Sequence, residues 1–159
     1  MSELTHLNER GEARMVDVTA KDVTTREATA RCRVNVSTEV AGLLAAGEMP
    51  KGDALAVARI AAIQATKRTP DLIPLCHPIA VHGVDVEVTL HADGPYVEIL
   101  ATVRTADRTG VEMEALTAAA VGGLTVIDMV KGKDRTAAID EVVLLEKKGG
   151  RSGHWVREA

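Results

Sequence analysis

Aromatic side chains are almost missing: the 159 residues include one tyrosine, Tyr96, one tryptophan, Trp155, and no phenylalanine. A core built without them must be aliphatic and alanine-rich, which suits helices packed closely on a sheet. The same scarcity removes the ring platforms on which single-stranded nucleic acid stacks. The formal net charge of −4 leaves no general surface for polyanions, so no nucleic-acid partner is expected. Cysteine is scarce too. Cys32 and Cys76 stand far apart, form no CxxC pair and read as free thiols of a reducing cytoplasm. The N-terminus has no basic stretch followed by an apolar run. The apolar stretches elsewhere are broken by Gly, Thr and charges before they reach membrane-spanning length. A cytoplasmic protein with no membrane partner is the expectation.

The length suits one domain. Residues 1–14 are polar and mixed in charge and read as a flexible arm. Residues 15–148 make a single catalytic domain, and 149–159, opening Gly-Gly-Arg-Ser-Gly, a flexible Gly-rich tail. Ala28 to Val36 alternate apolar and polar residues, as a half-buried strand does. Ser37 caps a short helix that ends at Gly47, and Asp53 caps a longer one over Ala54 to Arg68. Thr69-Pro70-Asp71 stops it. Val84 to Leu90 and Tyr96 to Arg104 are strands joined through the Asp93-Gly94 turn signal, and Ala138 to Glu146 is a fourth. This order predicts an α+β domain: a ferredoxin-like, four-stranded antiparallel sheet with its helices on one face.

The remaining element is the longest. From Gly110 to Lys131 apolar residues recur every three or four positions, the period of a helix. Glu112 and Glu114 sit at its N-terminal end, where the dipole favours carboxylates. Asp128 sits in the last turn, against the dipole, three residues before Lys131. At ~100° per residue Glu114 and Asp128 lie within about 40° of each other around the axis. At ~1.5 Å rise they are roughly 21 Å apart along it. One small substrate cannot readily touch both, so either each chain has two sites or one site is assembled from two chains. The second reading is favoured.

Other candidates are scattered. Lys51 stands in a Gly-flanked turn at a helix start, where N–H groups and an ammonium suit a phosphate. Leu72-Ile-Pro-Leu-Cys-His-Pro78 carries two prolines and is too apolar for a solvated loop, so His77 and Cys76 line something. Adjacent Cys and His side chains rarely share one zinc, and no second cluster exists, so no metal site is expected. Lys51, His77, Arg104, Lys131 and Lys147 together suit a phosphorylated small molecule, with Glu114 and Asp128 as the ionisable acids.

Several stretches match a known pattern: Lys51-Gly-Asp53, Ala58-Arg-Ile-Ala61, Leu72-Ile-Pro-Leu-Cys-His-Pro78 and Gly110-Val-Glu-Met-Glu-Ala-Leu-Thr-Ala118. Met15-Val-Asp-Val18, Asp128-Met129 with Lys131, and Gly149-Gly-Arg-Ser-Gly153 add to it. In that order, across nearly the whole chain, they resemble the cyclic pyranopterin monophosphate synthase (MoaC) family. The resemblance implies a lyase of molybdenum cofactor biosynthesis. Such an enzyme converts 3′,8-cyclo-7,8-dihydroguanosine 5′-triphosphate, a cyclised GTP intermediate, to cyclic pyranopterin monophosphate and releases pyrophosphate. It further implies a ferredoxin-like fold and a homo-oligomer, a hexamer built as a trimer of dimers with sites at the dimer interface.

Carried onto matching positions, the resemblance makes Asp128 and Lys131 catalytic. Leu75, Cys76, His77, Met113 and Glu114 contact the substrate, and Lys51 and Lys147 engage the triphosphate or assist proton transfer. Mg²⁺ could assist with pyrophosphate, although no carboxylate cage is visible. The chain departs from the pattern at Pro70, where a tryptophan is expected, at Val130 for a cysteine, and at Gly122-Gly123 for alanines. Each glycine is expected to loosen the helix by roughly 1 kcal/mol relative to Ala. The rival reading is a non-catalytic nucleotide-binding regulatory paralogue on the same fold.

Overall fold

A computed structural model describes residues 5–158; Met1–Leu4 of the expected arm and Ala159 lie outside the described residues. Strand β1 (Thr24–Asn35) is followed by α1 (Thr38–Ala46), α2 (Ala54–Thr66) and a single turn, α3 (Thr69–Leu72). Then come β2 (Gly83–His91), β3 (Tyr96–Asp107), α4 (Glu112–Val130), β4 (Ala138–Lys148) and β5 (Trp155–Val156). The strands form one antiparallel sheet in the order β2-β3-β1-β4-β5.

The architecture is therefore α+β as expected, with a five-stranded sheet rather than a four-stranded one. The fifth strand is two residues long and pairs Lys147 with Trp155 and Glu146 with Val156. Two residues carry no alternation that a sequence pattern could register. Strand β1 starts four residues earlier than its apolar alternation indicates, because Thr24 to Glu27 are held by pairing with β3 rather than by burial. Helix α2 ends at Thr66, two residues short of the expected Arg68, and Thr69-Pro70-Asp71 opens α3 instead: Pro70 needs no N–H in a first turn. The other helix ends follow their caps. Ser37 Oγ accepts from Val40 N at 3.2 Å, Gly47 closes α1 at φ 70°, and Asp53 accepts from Ala56 N at 3.0 Å.

Alternation decides which face of the sheet is covered. Ala28, Ala30, Cys32 and Val34 on β1, and Val97, Ile99, Ala101 and Val103 on β3, point to the helices and are fully buried. Helix α4 lies across β1, β3 and β4, with α2 beside it. By length and composition α4 is apolar enough to cross a membrane, which the sequence reading did not anticipate. Here it is the central core helix, and 56% of its apolar window is buried in the domain.

Gly122 and Gly123 serve this packing. A Cβ on Gly123 would stand 2.5 Å from Cys32 Sγ, and one on Gly122 would stand 3.1 Å from Ile99 Cγ2. Backbone and sheet meet where the side chains are missing, so the helix-propensity cost expected for these glycines comes with close contact between helix and sheet. Gly123→Ala should overpack the layer at a cost of about 1–3 kcal/mol. At ~2–4 °C per kcal/mol for a chain of this size, its melting temperature should fall by about 2–12 °C. A scanning calorimetry trace matching the wild type would show that the sheet yields freely at Cys32.

Candidate active site

Two groups of polar side chains form, one at each end of α4. At the N-terminal end the loop carrying Leu75, Cys76 and His77 folds against the helix start. With Val16, Gly110 and Met113 it lines a cavity of about 250 Å³. His77 Nε2 lies 2.5 Å from the backbone oxygen of Val16. A carbonyl can only accept, so Nε2 carries the proton and the other ring nitrogen is left for a further partner. The Met15–Val18 segment is thereby tied to the loop, and Asp17 braces it by accepting from Thr19 N at 2.8 Å.

Glu114 stands behind this wall. It is 1% exposed, its Oε1 accepts from Cys76 Sγ at 3.6 Å, and its Oε2 has no partner among the described residues. Burial pushes its pKa above the ordinary carboxylate value, and the neighbouring carboxylate of Glu112 adds to the shift. Burial likewise pushes the Cys76 thiol up to about 11, with help from the adjoining Glu114 carboxyl, so at neutral pH it stays a thiol and donates. A thiolate nucleophile is not available there. Lys147 approaches the same end from β4: its Nζ lies 3.1 Å from Glu112 Oε1 and donates to Ser152 Oγ in the tail.

At the C-terminal end, Asp128 is held between two ammonium groups. Lys131 Nζ is 2.8 Å from its Oδ1, and Lys51 Nζ is 3.3 Å from its Oδ2. Lys51 also donates to the Asp128 carbonyl at 2.7 Å, satisfying one of the helix's free terminal oxygens. The Gly52 turn, at φ 94°, places it there. Hydrogen bonds from Lys131, then Lys51, hold the Asp128 carboxyl below its ordinary pKa. The acid set against the helix dipole is thus compensated by side chains, one of them from another helix's entry.

Among the sequence-predicted residues, Leu75, Cys76, His77, Met113, Glu114 and Lys147 are brought together at one end of α4. Lys51, Asp128 and Lys131 gather at the other. Arg104 joins neither. It alternates with buried Val103 and Thr105 on β3, so it points to the sheet face without helices, where it pairs with Glu27 at 2.7 Å and with Asp85. Within one chain this alternation keeps Arg104 away from both groups, since a one-residue step on a strand changes face. Sequence reasoning missed Val16 and Lys21 in the cavity wall and Glu112 as the partner of Lys147. Only the Met15–Val18 stretch carried a signal, and nothing local marks Lys21. Among the described residues no three Cys, His, Asp or Glu side chains converge as a metal site.

These features define an α+β domain that presents a small-molecule cavity and a separate acid–amine cluster at opposite ends of one core helix. The family model described as "MoaC family" matches residues 15–150. A protein from Streptomyces avermitilis named cyclic pyranopterin monophosphate synthase is 61% identical over 97% of this chain and 89% of its own length. One of the same name from Roseiflexus castenholzii is 60% identical over 99% of this chain and 100% of its own. Cyclic pyranopterin monophosphate synthase 2 from Mycobacterium bovis is 54% identical over 98% and 92%. This chain belongs to the MoaC family.

Proposed function

We propose that this chain is a cyclic pyranopterin monophosphate synthase of molybdenum cofactor biosynthesis. Its substrate is 3′,8-cyclo-7,8-dihydroguanosine 5′-triphosphate, and it releases pyrophosphate. The observation that carries the reading is the Asp128–Lys131–Lys51 cluster, in a chain belonging to this family over nearly its full length. Reopening the reduced purine ring and closing a pyrazine ring need repeated proton transfers at nitrogen and carbon. A carboxylate and an ammonium 2.8 Å apart can accept and return those protons. Forming the cyclic monophosphate joins a ribose oxygen to the α-phosphorus while the bond to pyrophosphate breaks. Cations steady the charge that builds on the leaving oxygens, and Lys51, Lys131 and Lys147 supply them.

The cavity at Cys76, His77 and Met113 receives the heterocycle in this reading. Glu114, shielded behind Cys76, sets the thiol's direction. The two ends of α4 serve one substrate through a homo-oligomer, the cavity of one subunit facing the cluster of another. Residues 15–148 are the catalytic domain, with 1–14 as arm and 149–159 as tail, and the protein works in the cytoplasm. The strand order β4-β1-β3-β2 within the sheet supports the ferredoxin-like description of its core, with β5 added at the edge.

Release of pyrophosphate on adding the cyclised GTP intermediate is the direct test, and a purified chain that binds the intermediate without releasing it would refute the proposal. Lys51 offers a finer one. Lys51→Ala removes a charge-assisted interaction worth about 1.5–3 kcal/mol, which is roughly 10–150-fold in affinity. Calorimetric titration should show that loss for the triphosphate and little change for the corresponding nucleoside. An equal loss for both would mean that Lys51 does not read phosphate.

A further inference from the structure

Among the described residues the buried carboxyl groups are Glu114 and Asp134, one near each end of α4. Glu114 belongs to the cavity wall. Asp134 lies outside both groups of site residues, and unlike Glu114 it has partners for both oxygens. Its Oδ2 accepts from Ser37 N at 2.8 Å, and its Oδ1 from Thr136 N at 2.8 Å and Thr136 Oγ at 2.6 Å. The Thr136 hydroxyl above all holds this carboxyl below its ordinary pKa; burial opposes the shift, and the N–H groups of Ser37 and Thr136 add to it. The group is therefore ionised at neutral pH. An amide in its place has one acceptor oxygen, and its NH₂ would face a donor.

The bond to Ser37 closes a ring of chain. From Ser37 the backbone runs through α1 into the turn that carries Lys51, whose Nζ reaches Asp128. From Asp128 it runs through the end of α4 to Asp134, which returns to Ser37 across 97 positions of sequence. Two non-covalent joints therefore hold the ring, Lys51 on Asp128 and Asp134 on Ser37. The first is weak by itself, because both its side chains are about half exposed and such ion pairs hold loosely. Buried Val40, Ala41 and Met49 seat α1 and its turn on the core. Apolar contact has no direction, however, and does not fix how far a helix slides. A buried, charge-assisted bond at the N–H where α1 begins does fix it. Lys131 needs no such joint, since its own N–H is bonded to Ile127 on α4 at 2.9 Å. We infer that Asp134 is a positioning residue for Lys51: its bond to Ser37 sets where α1 starts, and α1 with its turn delivers the Lys51 ammonium to Asp128 and to the substrate's phosphates.

This inference rests on the reading that Lys51 holds the triphosphate, and the experiment separates the two. Affinity for the cyclised GTP intermediate is measured by calorimetry on the full chain, in a Lys131→Ala background so that nothing turns over. Asp134→Asn should bind about 10-fold more weakly, with unchanged circular dichroism at the assay temperature. Added to Lys51→Ala, the same change should cost less than about twofold more, because the group it positions is already gone. Thr136→Val removes the hydroxyl donor but leaves the Ser37 joint, so it should lower the melting temperature and leave affinity unchanged. Should Asp134→Asn not fold, Ser37 provides the same test. Ser37 stands at φ −70°, which proline adopts, so Ser37→Pro removes the N–H together with the Oγ cap, whereas Ser37→Ala removes the cap alone. Ser37→Pro should then bind at least about fivefold more weakly than Ser37→Ala. Full additivity with Lys51→Ala, equal affinity in the two Ser37 variants, or a loss in Thr136→Val as large as that in Asp134→Asn overturns the positioning role and leaves the role of Lys51 standing. Wild-type affinity in Lys51→Ala overturns the reading of Lys51, and this inference with it.

Discussion

Asp128→Asn and Lys131→Ala should each abolish turnover of the cyclised GTP intermediate while leaving the fold and assembly unchanged. Positioned acid–base groups contribute about 10²–10⁴-fold, so single-turnover product formation should drop by at least that range. Folding should survive because both side chains are more than half exposed and close no core contact. The charge state matters as much as the presence of the acid. The two ammonium groups hold the Asp128 carboxyl below its ordinary pKa. Its ion pairs are therefore complete above the ordinary carboxylate range and are lost only as pH falls through the lowered value. An acid limb of the rate profile near neutrality must then come from another group, and Asp128→Glu should keep the profile's shape even where it lowers the rate. Near-normal product from either knockout variant would remove that residue from the catalytic role.

The two ends of α4 differ in how far the sequence revealed them. Asp128 and Lys131 were visible because they share one helical turn, and a carboxylate against the dipole is a local anomaly. Lys51 was visible only as a lysine in a turn. That it reaches Asp128 depends on how α2 lies against α4, a tertiary relation with no local mark. Glu114 read as an ordinary first-turn acid. Its burial arises because the Leu75–His77 loop folds over that side of the helix. The strands were legible wherever one face is buried, since burial imposes the period of two. They were lost where only backbone pairing holds them, as at Thr24 to Glu27 and in β5. Arg104 stands apart from both groups for a related reason. The alternation of β3 sets it opposite the buried residues Val97, Ile99, Ala101 and Val103, but what meets that outer face depends on Glu27 and Asp85 of the neighbouring strands. The glycines of α4 could be seen, but not why they stand there, because Cys32 and Ile99 meet them from strands far away in sequence.

Glu114→Gln and Asp128→Asn, each inactive alone, should restore activity to one another when the two chains are made in one cell. The expectation follows from α4 being a single unbroken helix from Glu112 to Val130, which keeps the two acids roughly 21 Å apart within a chain. Gln at 114 keeps the shape and the acceptor for the Cys76 thiol while removing the ionisable group. Asn at 128 keeps the side-chain oxygen that Lys131 reaches. In a mixed dimer with sites shared across a two-fold axis, one site collects both lesions and the other none. Random pairing makes about half the dimers mixed, each with one intact site of two, so roughly a quarter of wild-type activity should return. A site contained in one chain predicts no recovery, because every site would still carry a lesion. The measurement needs each single variant to be dead and the mixed dimer to be present by native mass spectrometry. Under those conditions, activity no higher than that of the single variants would mean that the two ends of α4 do not meet across subunits.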